Sequence, residues 1–349
     1  MEKIDNGPLL TNSNAGITDY SADVTNFPQV AIIILNWNNY AATSRCLLSL
    51  EGITYPNYAI YLVDNGSQDG SREKFFEQFR DKGIRFIFNE ANLGFATGCN
   101  QGIRKALDEG CDYILLLNND CIVFDKDFLY RGIKVAEADS QCGIMGGKIL
   151  FWPDTERIWS TGGYITFWSG EKHIGYGEID KGQYDEIAER CFISGALMLI
   201  KREVINQIGL LPEVYFFGKE EWEFSTRAKR AGFRLVYYPE FSVYHEASNS
   251  HEWTDPTYVY NGTISKILYK KRNLSWILFK FWFLIYRVYL KFFFPVKYRL
   301  QRENYLQGVP PETLRRVMLD AVRDALHIEK ITEETLRTYR CKYKQNNNK

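Results

Sequence analysis

The 349 residues carry 43 Lys and Arg against 43 Asp and Glu, and 15% of the side chains are aromatic. That length supports one large domain with an appendage, or two domains, and excludes a disulfide-held miniprotein or a disordered chain. The balanced charge offers no general attraction to nucleic acid, which is therefore not expected as a partner.

The seven cysteines, at 46, 99, 111, 121, 142, 191 and 341, include no Cys-x-x-Cys pair. They are expected to be reduced thiols rather than a zinc ribbon or a disulfide framework. Residues 1–28 read as a polar tail without the apolar core of a signal peptide, so a cytoplasmic catalytic part is expected. The Asn-x-Ser/Thr triplets at Asn65, Asn261 and Asn273 are then chance matches.

QVAIIILNW is a continuous apolar run suited to a buried parallel strand, NYAATSRCLLSLEG has helical spacing, and YAIYLVDNGS is a second buried strand ending in turn residues. The alternation continues through helix SREKFFEQFRDKG, strand IRFIFNE, helix GFATGCNQGIRKALDEG and strand CDYILLLNND. This rhythm predicts an α/β fold with a doubly wound, mostly parallel, Rossmann-like sheet. Ligands bind beyond the carboxyl ends of such strands, and three of those ends carry Asn36, Asp64 and the Asn118-Asn119-Asp120 cluster.

Gly- and Trp-rich loops and short strands follow from about 145 to 200, ending in CFISGALMLIKREV, a strand leading into a helix. KEEWEFSTRAKRAGF is a charged helix stopping at Gly232, and RLVYYPEFSVYHE reads as strand, turn and strand. The composition changes near 256. We therefore expect a catalytic domain over 29–255 and a C-terminal helical region over 256–349.

Four constellations carry chemistry. In VDNGSQDGS, Asp64 can accept from the imide N–H of a uracil or thymine, while Ser67 and Asp69 cap the next helix; a plain turn with an N-cap fits the same residues. In NEANLGFATGCNQGI, Gly94, Gly98 and Gly102 lie one turn apart and suit either close packing or a ligand. Neither GxGxxG after the first strand nor GxxxxGK[ST] occurs, so neither a dinucleotide fingerprint nor a P-loop is present.

LLLNNDC delivers Asp120 past a buried strand, where Mg²⁺ or Mn²⁺ could bridge it to diphosphate oxygens, with His245 able to complete the shell and Cys121 left to packing; a turn aspartate and a satisfied polar histidine are the bland alternatives. In FFGKEEWEFSTRAKRAG, Glu220 and Glu221 open a helix whose dipole favours anions, and either could take a proton from a sugar hydroxyl; a solvated helix start is the bland alternative. Glu223 and Arg227 are spaced for an i,i+4 pair.

Taken in order, LNWNN, VDNGSQDGS, NLGFATGCNQG, LLLNND, ISGALMLIKRE, EEWEFSTR and VYHE resemble family 2 glycosyltransferases of the GT-A fold, in particular the bacterial rhamnosyltransferase-like branch, over roughly residues 29–250. The resemblance implies an inverting, metal-dependent transfer from a nucleotide diphosphate sugar to a glycan or lipid-linked glycan acceptor. By residue, it implies donor contacts from Asn36, Asp64, Asn65, Asn92, Gly94, Asn100, Asn119 and Asp120, with Asp120 and His245 at the metal. Glu221 would be the base, with Glu220 its substitute, and Ser194, Gly195, Ala196 and Trp222 would line the acceptor side. Two positions depart from the family pattern: Asn119 stands where many relatives have Asp, and Glu221 replaces the usual Asp. The branch points to dTDP-L-rhamnose first and a UDP-sugar next.

WILFKFWFLIYRVYLKFFFPV, 276–296, is apolar but interrupted by Lys280, Arg287 and Lys291, which fall within about 40° of one another on a helix. It fits a helix lying in a membrane interface, at the inner face of the plasma membrane, better than one spanning it; packing on the domain or in a homodimer is the alternative. PPETLRRVMLDAVRDALH reads as an amphipathic helix starting after Pro310-Pro311. Two rival functions are a non-catalytic nucleotide-sugar or glycan-binding module on the same fold and a nucleotidyltransferase.

Overall fold

Valine and isoleucine fill β1 (Val30–Asn36) because both of its faces are covered. The computed structural model describes residues 27–168, 170–246, 255–294 and 311–347. β1 lies between β2 (Tyr58–Asn65) and β4 (Tyr113–Leu117), parallel to both, and β3 (Arg85–Asn89) runs parallel to β2 at the edge. The register sets Asn36 opposite Asp64 and Asn65 opposite Asn89, so the polar strand ends share one rim.

Beyond β4 the sheet continues through β11 (Leu197–Lys201), β6 (Cys142–Phe151), β12 (Arg234–His245) and β10 (Ala188–Glu189). β11 is antiparallel to both neighbours, whereas β12 runs parallel to β6. Short β5 (Cys121–Ile122) and β7 (Ile158–Ser160) pair with β12 and β6, and β8 (Gly163–Thr166) forms a separate hairpin with β9 (Gly170–His173).

The two-residue period of β1 divides the core. Ile32 and Ile34 face α1 (Tyr40–Ser49), α2 (Ser71–Phe79) and α4 (Phe128–Ala138). Ala31 and Ile33 face α3 (Phe95–Asp108), α5 (Arg202–Ile208) and α6 (Glu220–Arg230). Gly98 and Gly102 let α3 close on β1: a Cβ there would lie 2.6 Å from Leu35 and 2.8 Å from Ile33.

A third cluster joins α6 to α7 (Pro256–Asn273), α8 (Trp276–Val288), α9 (Pro311–Asp324) and α10 (Glu333–Asn347). These helices clamp the loop leading into α6: Asn261 donates to Phe217 O (2.7 Å) and Ile331 N–H to Val214 O (2.8 Å). After α8 the chain continues as a π-helical turn over Tyr289–Phe293. The end of the apolar run, 295–296, lies outside the described residues, as do residues 1–26 of the tail.

The structure corrects three local expectations. RLVYYPEFSVYHE is one strand, not two: Pro239 lacks an N–H, the ladder to β6 skips from Tyr238 to Val243, and the chain stays extended over Gly147. α4 was not anticipated, although Phe128, Leu129, Ile133 and Ala136 have helical spacing and are buried. The Glu223–Arg227 pair does not form, because Glu223 is taken by Arg272 and Arg227 donates to the carbonyls of Ile208 and Leu210.

Candidate active site

The aligned ends of β1 and β2 support a chain of directed hydrogen bonds. Asn119 Nδ2 donates to Thr43 Oγ1 (2.8 Å), Thr43 Oγ1 donates to Asn36 Oδ1 (2.7 Å), and Asn36 Nδ2 donates to Asp64 Oδ2 (2.8 Å). The Ser67 N–H donates to the other Asp64 oxygen at 3.0 Å. Ser67 does not cap α2, whose N-cap is Gly70; its hydroxyl accepts from Asn36 Nδ2 and the Asn38 N–H. Asp69 accepts from the Ser71 N–H, as expected for a helix start. Thr43, buried in the first turn of α1, was missed by sequence reasoning, since nothing local distinguishes it from a core threonine.

On the same rim, β5 pairs with the end of β12 so that Cys121 lies opposite His245. Asp120 Oδ1 is 3.0 Å from His245 Nε2, and Asn118 Nδ2 is 3.4 Å from that same nitrogen. Nε2 has a single in-plane site: as an N–H it donates to the Asp120 carboxylate, and as a lone pair it can share a cation with that oxygen. The ligating atoms of Asp120, Cys121 and His245 lie within 4.8 Å of one another. Burial, and then the charge of Asp120, push the Cys121 thiol well up, so it stays protonated and donates to Ala196 O (3.4 Å). The usable donors are one carboxylate and one imidazole, a set that suits a hard or borderline divalent ion with positions left for oxygen ligands. Trp159, not singled out in the sequence, lies edge-on to the His245 ring at 4.5 Å and fixes its plane.

Ser194, Gly195 and Ala196 form the turn before β11. Ala196 O accepts the Asn118 N–H (3.1 Å), and the Ile193 N–H reaches Ser225 Oγ on α6 at 3.4 Å. That turn ties the Asp120 rim to the helix bearing Glu220 and Glu221. The Glu220 carboxyl is buried, and burial, then the neighbouring Glu221 carboxylate, hold it well above the ordinary carboxylate range. Glu221 is only half-buried.

Other expected site residues are placed differently. Asn65 donates to Asn92 Oδ1 (2.9 Å) and Gly94 O (3.2 Å), while accepting from Asn89 and Leu93. Asn100 is fully buried, bonded to both backbone groups of Leu211 and to Glu213. Gly94 has φ +82° and is packed against Phe216 O, which accepts the Phe95 N–H at 2.8 Å. These groups brace the loop before α3 against the loop before α6. Trp222 is 1% exposed and lies in the third cluster beside Tyr269, so its ring lines no open face.

The model of the family described as glycosyl transferase family 2 matches residues 31–209, just over half of the chain. The N-acetylglucosaminyl-diphospho-decaprenol L-rhamnosyltransferase of Mycobacterium tuberculosis is 26% identical over 225 residues, 59% of this chain and 72% of that protein. Glycosyltransferase AglE of Haloferax volcanii is 23% identical over 215 residues, 60% of this chain and 64% of the relative. Among solved structures, the mannosyltransferase PcManGT from Pyrobaculum calidifontis, in complex with GDP-Man and Mn²⁺, matches with a TM-score of 0.53 at 16% identity, over 88% of this chain and 90% of that one. GalNAc-T7 with UDP, GalNAc and Mn²⁺ matches at 0.52 and 16% identity, over 80% of this chain and 59% of that one. At such identities these likenesses establish the fold, a mixed α/β GT-A architecture with added C-terminal helices.

Proposed function

Because the chain belongs to the family 2 glycosyltransferases and has the GT-A fold, we propose that it catalyses inverting, divalent-metal-assisted transfer of a sugar from a nucleotide diphosphate donor to a hydroxyl of a cell-surface glycan precursor. The observation that carries the metal-assisted reading is the apposition of Asp120 and His245 at 3.0 Å on the rim where the strand ends converge. The name of the mycobacterial relative favours L-rhamnose from dTDP-L-rhamnose and a lipid-linked acceptor, and the UDP in the GalNAc-T7 structure puts a UDP-sugar next.

Asp120 and His245 would hold Mg²⁺ or Mn²⁺, which when bound offsets the charge gathering on the departing diphosphate. Asp64, aligned by Asn36 and Ser67, offers its carboxylate to the nucleobase, and Asn119 orients that pair through Thr43. Glu221, the more accessible of the two α6 carboxylates, takes the proton from the acceptor hydroxyl as its oxygen attacks the anomeric carbon. Glu220, kept neutral by burial, hydrogen-bonds its neighbour and leaves the negative charge on Glu221. A single displacement of this kind inverts the anomeric centre.

The test is a thermal-shift panel of dTDP-L-rhamnose, UDP-sugars and GDP-mannose with and without Mn²⁺, followed by transfer assays with the stabilising donor. One donor should stabilise the protein in a Mn²⁺-dependent way and be turned over, with turnover lost in Asp120→Ala and Glu221→Gln. Binding without turnover on any acceptor would sink the enzyme reading and identify a binding module.

A further inference from the structure

α8 has two apolar faces, and the domain covers only one. Trp282, Phe283, Tyr286 and Leu290, at i, i+1, i+4 and i+8, are buried in the third cluster, held from α7 by Lys266 over the Tyr286 ring at 5.0 Å. On the opposite side, Ile277, Phe281, Leu284 and Val288 fall within about 60° of one another on the helix and are exposed. Trp276, Ile277, Phe281, Leu284, Phe292 and Phe293 each expose 53–72% of their surface. A second element extends the patch: Trp168, between β8 and β9, is 51% exposed with its ring 6.4 Å from that of Phe281. Soluble chains rarely leave so many large side chains contiguous and uncovered.

The charges that this segment itself carries are of one sign. Lys280, Arg287 and Lys291 are exposed along its flank, the first with its ammonium 3.8 Å from the Trp276 ring centroid, and no acidic residue occurs from Leu274 to Arg302. A second copy meeting this face with its own would set this row of cations against its equal. An anionic lipid surface supplies the missing charge, and aromatic rings with snorkelling lysines suit the boundary between headgroups and acyl chains. No described helix is long and apolar enough to cross a membrane.

We propose that the outer face of α8, together with Trp168, docks this protein on the surface of an anionic lipid bilayer. The docked face is tied to the catalytic helix. Arg272, three residues before the Ser275 N-cap of α8, grips Glu223 through bonds of 2.9–3.1 Å, and Glu223 lies within one turn of Glu220 and Glu221. Resting on the transferase reading, this fixes the acceptor class as a glycan carried on a lipid, presented at a set height above the membrane.

The test is co-sedimentation of the full chain with phosphatidylcholine vesicles, with and without phosphatidylglycerol. Binding should be roughly tenfold stronger with the anionic lipid and should weaken with salt. Trp276→Ser with Phe281→Ser should cost roughly tenfold or more in binding, and Lys280→Glu with Arg287→Glu should abolish the preference for anionic lipid. Both variants alter exposed side chains, so their melting and donor-induced thermal shift should match the parent. Failure to bind either vesicle, binding unchanged in the double-serine variant, or a dimer by light scattering that this variant dissociates would each overturn the proposal. Vesicle binding with no stabilising donor would leave the docking face standing and sink the transferase reading alone.

Discussion

Asp120 Oδ1 faces His245 Nε2 at 3.0 Å, although the two residues are 125 positions apart. The pairing of β5 with the end of β12 creates the contact and sets a carboxylate beside an imidazole that could share a cation with it. Removing either partner should therefore affect metal and donor together. Asp120→Ala is expected to lower kcat on the order of 100-fold or more, and His245→Ala to raise the Mn²⁺ concentration needed for half-maximal rate. Titrations of rate against Mn²⁺ at saturating donor check both.

Glu220 and Glu221 should separate by variant and by pH. Glu220 has its folded pKa raised by burial and by Glu221, so the unfolded chain ionises first and the group costs stability as pH rises from the ordinary value of 4.5 towards the folded one. Glu220→Gln removes that cost. Its melting temperature relative to the parent should be higher at pH 8 than at pH 4, while transfer persists. Glu221→Gln should retain the fold and lose at least about 100-fold in kcat. The opposite pattern of activities would make Glu220 the base.

The Arg272–Glu223 pair should contribute asymmetrically. Burial raises the Glu223 pKa, but Arg272 and the Tyr215 hydroxyl (2.6 Å) outweigh it and hold the carboxyl below its ordinary 4.5. The stabilisation is thus full above pH 4.5 and is lost as pH falls through the depressed value. Arg272→Ala strands a buried charge and should cost about 3 kcal/mol, whereas Glu223→Gln leaves a half-exposed guanidinium that water can solvate and should cost less. Urea denaturation at pH 7 measures both.

Placing an acid at position 119 should not simply improve the enzyme. Thr43 has one hydroxyl proton, which faces both Asn36 Oδ1 (2.7 Å) and the Asn39 carbonyl (2.8 Å), while its oxygen accepts from Asn119. Asn119→Asp would compete for that proton and loosen Asn36 from Asp64. The expected outcome is tighter Mn²⁺ binding with a higher KM for the donor, read from a two-dimensional titration of rate.

Gly66 follows Asp64 and Asn65 at φ +75°, and a Cβ there would lie 2.5 Å from the Ala91 backbone. Gly66→Ala should push the β2 and β3 rim loops apart, raising donor KM while costing about 1–3 kcal/mol of stability. A donor KM equal to the parent's would show that this loop does not shape the donor site.

Much of the fold was legible in the linear chain, because parallel strands buried on both faces are written as unbroken apolar runs and their helices as 3.6-residue stripes. VAIIILN, YAIYLVDN and YILLL each became a strand in the predicted order, and Asn36, Asp64 and Asp120 reached one rim because that topology gathers strand ends. α4 and the continuity of β12 were harder to read. The first follows a two-residue strand and has no side-chain cap, and the second contains a proline that resembles a turn until β6 is seen beside it.

What the sequence could not convey was which polar side chains are spent holding the site and which are free to act. Asn36, Asn65 and Asn100 look alike in the sequence, and only packing shows that the first closes its hydrogen bonds on Asp64, Ser67 and Thr43 and the other two on the loops around them. Spacing offered Glu223 to Arg227, and tertiary structure gave it to Arg272, because a buried carboxylate binds the guanidinium that reaches it with a bidentate fork. Residue types and order alone determined the fold class and the placing of Asp120 at the end of a buried strand. The partner at His245, the burial that raises the Glu220 pKa and the uncovered face of α8 were decided by contacts across long stretches of chain, since charge, desolvation and exposure depend on neighbours in space.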